Sequence, residues 1–145
     1  MKKFLLLLIF LVPCLVGAQS LYGEILISRV NTVYDGDTFR VDIDEYPAIV
    51  GKNMPIRING IDTPEIKAKC ALERDLAIKA KELTKKKLEA GKVIELRNIK
   101  RGKYFRIISD VYVDSVSLAD ELLDAELAVK YFGGKKQKNW CLSAN

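Results

Sequence analysis

Ile56-Arg57-Ile58-Asn59-Gly60-Ile61-Asp62-Thr63-Pro64-Glu65 is the stretch on which the fold turns. Ile56, Ile58 and Gly60 fall on one face and Arg57 and Asn59 on the other, the period of two that marks a half-buried strand. Pro64 cannot donate to a sheet, so Asp62-Thr63-Pro64 ends that strand. Just beyond, Leu72, Leu76, Ala80 and Leu83 recur at helical spacing within Ala71 to Ala90, and Gly91 stops the run. A third strand thus passes through a short acidic loop into a helix.

Upstream, Gly23 to Asn31 reads as a first strand whose alternation slips near Arg29, as at a bulge. Asp35-Gly36 is a tight-turn signal. Thr38 to Ile43 then alternates cleanly, with Phe39, Val41 and Ile43 against Thr38, Arg40 and Asp42. Asp44 to Pro55 reads as a loop or loose hairpin. Downstream, Val93 to Ile99 is a fourth strand, Arg101-Gly102-Lys103 a basic turn, and Tyr104 to Val113 a fifth strand. Ser117 to Asp120 resembles a capping box and opens a short helix with Leu118, Leu122 and Leu123 inward. The tail after Phe132 is basic and expected to be irregular. Three strands, a helix, two strands and a helix describe a mainly β fold with two to three α-helices: a five-stranded Greek-key barrel of the OB type. That barrel hosts many functions, so the chemistry must be read from its residues.

A positive start, Met1-Lys2-Lys3, an apolar run from Phe4 to Val16 and the small residues Val16-Gly17-Ala18 have the form of a secretory signal peptide over residues 1–18. The apolar run is short for a membrane span. Residues 19–145 then form one domain, expected to be secreted or periplasmic, monomeric and free of the membrane after cleavage. Losing Lys2 and Lys3 and no acid lowers the net charge from +5 to +3. That excess alone does not establish nucleic-acid binding. Lysines cluster at Lys79, Lys81, Lys85, Lys86 and Lys87, and again at Lys135, Lys136 and Lys138. They suit a solvated face or a diffuse field for a polyanion. Two cysteines remain, Cys70 and Cys141, an even count that suggests a disulfide in an exported chain. The sequence has no histidine, which excludes Ser-His-Asp and Cys-His catalysis and histidine-bound zinc. Proton transfer would fall to carboxylate, lysine or tyrosine.

Asp35-Gly36-Asp37-Thr38 and Asp62-Thr63-Pro64-Glu65, with Arg57 beside them, bring acids and an arginine to the ends of neighbouring strands. Acidic oxygens suit a hard divalent cation and an arginine suits phosphate. Together with Lys103-Tyr104-Phe105-Arg106, these runs resemble the thermonuclease, or staphylococcal-nuclease-like, family from about Leu26 to Phe132. Members of that family are OB-fold, calcium-dependent nucleases that act on DNA and RNA with little sequence selectivity and leave 3′-phosphate ends. The resemblance implies Ca2+ ligands at Asp37, Asp62 and the backbone carbonyl of Thr63, and a general base at Glu65. It implies arginines at Arg57 and Arg106 that stabilise charge on the phosphoryl oxygens. Lys103 would contact phosphate and Tyr104 would pack against a base, which needs no particular sequence. Each has a plainer reading as well: turn acids, a solvated glutamate, paired surface arginines, a strand tyrosine.

The chain departs from the family pattern at two positions where glycine is common, Phe105 and Glu126, and its segment between Glu65 and the helix is short. The rival to catalysis is a nucleic-acid-binding OB module whose acids and arginines have been replaced. All five side chains, Asp37, Arg57, Asp62, Glu65 and Arg106, are retained here.

Overall fold

The computed structural model describes residues 23–142; the expected signal peptide at 1–18 lies outside them. The elements run β1 (Ile25–Leu26), β2 (Arg29–Val33), β3 (Thr38–Asp42), α1 (Ala48–Gly51), β4 (Met54–Ile58), β5 (Ile61–Asp62), α2 (Ala71–Ala90), β6 (Ile94–Arg101), β7 (Ile107–Val113), β8 (Val116–Ser117), α3 (Leu118–Asp124) and β9 (Val129–Lys130). The main sheet has the order β1-β6-β7-β4-β3-β2, with β8 added to β7. β4 and β7 are parallel and the other neighbours antiparallel.

The two ends of this sheet belong to one stretch of chain. β1 pairs with β6, and two residues later β2 pairs with β3. Between them Ile27 N–H donates to Ile94 O (3.0 Å) and Ser28 N–H to Asp42 O (2.9 Å). The first strand therefore changes partner at Ile27–Ser28 and closes the sheet into a barrel, which leaves no long edge exposed. This is the expected OB architecture, mainly β, with three helices among the described residues. The slip read near Arg29 marks the corner, and a second irregularity falls between Val30 and Thr32.

Alternation drives the core. Phe39, Val41, Ile43, Met54, Ile56, Ile58, Leu96, Val111 and Leu122 are all 4 % exposed or less and pack in one cluster. At about 25 cal/mol per Å² of buried apolar area this cluster is the main source of stability. α2 spans the expected residues, but its inward face is Ala77, Ala80, Thr84 and Leu88; Leu76 and Leu83 flank it and Leu72 is exposed. The small residues let the helix sit close on the barrel. Gly91 has φ −68°, so no left-handed cap is needed. A Cβ there would lie 2.3 Å from Val113 Cγ1, and it is this close approach that requires glycine.

Several boundaries differ from the sequence reading. The segment Asp44–Pro55 contains α1 and the start of β4. The third strand breaks after Ile58, where Gly60 has φ +77°. The chain resumes as β5 and pairs with β9 in the tail. The fifth strand starts at Ile107 rather than Tyr104, because Tyr104 and Phe105 have φ 57° and 58° and belong to the turn. Asp42, on the polar side of its strand, is nonetheless 3 % exposed.

Candidate active site at the end of the barrel

Asp37 enters the site from the turn before β3. Tyr34 N–H donates to Thr38 O (2.9 Å) and closes that turn. A Cβ on Gly36 would lie 2.7 Å from Ala80 Cβ and 2.8 Å from Thr63 Cγ2, so only glycine lets the turn wedge between α2 and the Thr63 loop. The Thr84 hydroxyl donates to Gly36 O (2.6 Å), which fixes the turn to the helix. Arg57, on the outward face of β4, stands opposite Thr38 in the register.

These constraints bring the first group together. Arg57 Nη1 donates to Asp37 Oδ1. Arg57 Nη2 reaches Ile61 O at 3.1 Å and Asp62 Oδ1 at 3.3 Å. Thr63 N–H donates to Asp37 Oδ2 (3.1 Å) and the Thr38 hydroxyl to Asp37 Oδ1 (2.9 Å). Asp35, Asp37, Asp62 and Thr63 are all buried. Burial raises the Asp37 pKa, against the opposing pull of Arg57, Thr38 and Thr63. Burial also pushes Asp35 up to about 7, helped by the neighbouring Asp37 charge. Two buried carboxylates, Asp37 and Asp62, thus share one guanidinium.

Glu65 lies beyond them at the surface, 51 % exposed at its side chain. Its loop is short and pinned: Glu65 N–H donates to Glu73 Oε1 (3.2 Å), and Arg74 Nη1 donates to Ala68 O (3.0 Å). The start of α2 is held in turn by the Cys70–Cys141 disulfide, with a Cα–Cα distance of 5.8 Å. This is the expected pair. Glu73 sits beside both sulfurs, but bonded to each other they offer no thiolate to a metal.

Arg106 is the member the structure sets apart. Among the described residues no hydrogen bond joins its side chain to the acids, and its Nε is buried without a partner. It lines a groove of about 370 Å³ with Tyr34, Thr38, Arg40, Lys81 and Tyr104. Thr38 belongs to both places, so the groove opens beside the acidic cluster. Tyr104, 92 % exposed, stands at the rim with Lys103 in the same turn. Phe105 takes a left-handed conformation, and Arg101 stacks on its ring at 4.4 Å. Glu126 also has a positive φ, 58°. Both departures from glycine therefore fall where glycine is the easiest fit.

Two contributors were not legible beforehand. Lys136 sends its ammonium to Asp62 Oδ1 (3.0 Å) and Glu65 Oε1 (2.6 Å). Burial works against its charge, yet the two carboxylates outweigh that and hold its pKa up. Asp35 Oδ1 accepts from Asp37 N–H (3.2 Å). The only sign of Asp35 in the sequence was its place in the turn motif, and Lys136 was one lysine of a basic tail. The lysines on α2 divide likewise: Lys81 reaches the groove, Lys87 pairs with Glu121, and Lys85 lies 3.8 Å from Glu89.

The donor set is chemically hard. Buried carboxylates such as Asp37 and Asp62 are oxygen donors of the kind a hard divalent cation takes in preference to softer ligands. The residues present therefore fit a divalent ion. A guanidinium beside the acids and a second in the adjoining groove suit a phosphoryl group.

No curated protein matches the chain. The family model described as staphylococcal nuclease homologue matches residues 55–144, a span that runs from β4 through the acidic loop, α2, the Lys103–Arg106 turn and the tail. The chain belongs to the staphylococcal nuclease homologue family.

Proposed function

We propose that this protein is a calcium-dependent nuclease that hydrolyses phosphodiester bonds of DNA and RNA with little sequence selectivity and leaves 3′-phosphate ends. The observation that carries the reading is the meeting of Asp37, Arg57 and Asp62 at the barrel end, with Glu65 on the next loop and Arg106 in the groove alongside. Asp37, Asp62 and the Thr63 carbonyl would hold the Ca2+. Bound there, the ion would supply Lewis-acid stabilisation of the phosphoryl oxygens and make nearby water easier to deprotonate.

The chain's own groups would do the rest. Glu65, on a pinned loop, accepts the proton of the attacking water. Arg57 is oriented by Asp37, Asp62 and the Ile61 carbonyl, and its five N–H donors leave some over for the phosphate. Arg106, which lines the groove, donates to the same phosphoryl group. Negative charge that grows during attack is then met by donors already in place, which is where such sites gain most of their rate. Lys103 contacts the substrate backbone, and the exposed Tyr104 ring stacks on a base for roughly 1–3 kcal/mol whatever its identity.

Residues 1–18 would direct export, and the mature domain would work as a monomer in the periplasm or outside the cell, free of the membrane. The disulfide supports an oxidising compartment, and among the described residues no helix is long and apolar enough to cross a membrane. The test is cleavage of single-stranded DNA with Ca2+ or with a chelator, beside Glu65→Gln. Wild type is expected to cleave only with Ca2+, and Glu65→Gln to be slower by roughly 10²-fold or more, the order reached when a positioned acid–base group is lost. Binding without cleavage would instead favour a nucleic-acid-binding module, and wild-type cleavage by Glu65→Gln would remove Glu65 as the base.

A further inference from the structure

Lys136 comes from the far end of the chain, yet it bridges Asp62 Oδ1 (3.0 Å) and Glu65 Oε1 (2.6 Å). Its position is built by the tail. Gly133 and Gly134 have φ +106° and +83°, left-handed values that turn the chain back after β9. The Tyr131 hydroxyl donates to Gly134 O (2.7 Å) and holds that turn. On the other side, Trp140 is buried at 7 % exposure and Cys141 is bonded to Cys70 at the start of α2. The segment between is therefore anchored at both ends and laid across the acidic loop. Lys135 and Lys138 share the segment, but among the described residues neither reaches these acids.

An ammonium on Asp62 Oδ1 uses an oxygen that a divalent ion would also use, and adds a positive charge where that ion would sit. We propose that Lys136 is an intramolecular competitor of the divalent cation, a tethered charge that lowers cation affinity at the Asp37–Asp62 site and must swing away from Asp62 before the ion binds. The proposal rests on reading Asp37 and Asp62 as cation ligands. Because the tether is covalent at Cys141, the competitor is present at a fixed local concentration whatever the solution conditions. The acidic site is thereby balanced by a charge of the chain itself until enough cation is available.

The experiment is calorimetric titration of Ca2+ into wild type, Lys136→Met, Lys136→Gln and Lys135→Met, without nucleic acid. Lys136 is 46 % exposed at its side chain, so either substitution leaves the core intact. Both Lys136 variants are expected to bind Ca2+ roughly 2- to 5-fold more tightly than wild type, the range set by breaking one partly exposed ion pair. Lys135→Met is expected to bind as wild type does. Equal or weaker binding by both Lys136 variants overturns the competition while the cation site stands. An equal gain in Lys135→Met also overturns it, because a diffuse field would then account for the effect. No binding in any of the four proteins overturns the cation site, and the competition with it.

Discussion

Asp37 precedes β3 and Asp42 ends it, five residues apart, and both are nearly sealed from water, at 2 % and 3 % exposure. Asp42 is surrounded by donors: Asn53 N–H at 2.9 Å, Asn31 Nδ2 at 2.7 Å and Arg29 Nη2 at 2.6 Å, with Lys52 at 3.5 Å. Those bonds, the Asn53 amide first and Asn31 next, hold its carboxyl well below the usual carboxylate range. Asp37 has Arg57, Thr38 and Thr63 and also Asp62 and Asp35 as neighbours, and burial carries its pKa the other way. One acid is satisfied by the fold and stabilises it. The other is buried beside two further acids, and burial disfavours its charge. Strained or under-compensated groups of this kind concentrate at functional sites.

The largest effect should come from exchanging the two acids' fates. Asp37→Asn is expected to lower Ca2+-dependent cleavage by 10²-fold or more, measured as initial rates on single-stranded DNA. Its melting midpoint should equal or exceed that of wild type, because the neutral amide removes a charge the folded state disfavours. Asp42→Asn should do the reverse: cleavage within a few-fold of wild type, and a midpoint lower by roughly 5–10 °C, as expected when a buried, multiply bonded group is lost from a domain of this size. If both variants lose the same property, the contrast fails.

Acid should separate them too. Asp42 has a folded pKa below its ordinary 3.8, so its contribution is fully present above that value and is lost as pH falls through the depressed one. Urea unfolding followed from pH 5 downward should therefore show a shallower loss of stability in Asp42→Asn than in wild type. Parallel curves would mean that Asp42 is no anchor.

Smaller effects test how the two ends are mounted. Gly36→Ala places a methyl 2.7 Å from Ala80 Cβ, an overpacking expected to cost about 1–3 kcal/mol in chemical denaturation. It should reduce cleavage as well, since the same turn carries Asp37. Glu126→Gly relieves a left-handed residue at an exposed turn and should stabilise by about 1 kcal/mol with no change in rate. A rate change there would point to a role for that turn beyond the backbone.

How much of this was legible beforehand follows from the range of the interactions. β3, β4 and α2 follow from periods of two and 3.6, because their side chains answer to one core. The pairing of acids with Arg57 was legible for the same reason: the residues that precede and follow neighbouring strands must meet. The sequence reading did not extend to the partner change at Ile27–Ser28, the pairing of β5 with β9, or Lys136, since each depends on residues far along the chain. Asp42 does lie on the polar face of its strand, but its burial was not legible because its cover, Arg29, Asn31 and Asn53, comes from two other segments. Tyr104 and Phe105 looked like strand residues by type, yet the turn imposed a conformation that their side chains do not favour.

The difference between the two aspartates is tested most directly by the shift in melting midpoint on adding saturating Ca2+ to wild type, Asp37→Asn and Asp42→Asn. Ligand that binds only the folded state raises that midpoint. Wild type and Asp42→Asn should rise together, and Asp37→Asn should stay where it was. A rise in Asp37→Asn equal to that of wild type would contradict the account, because the cation would then be held without the acid assigned to it.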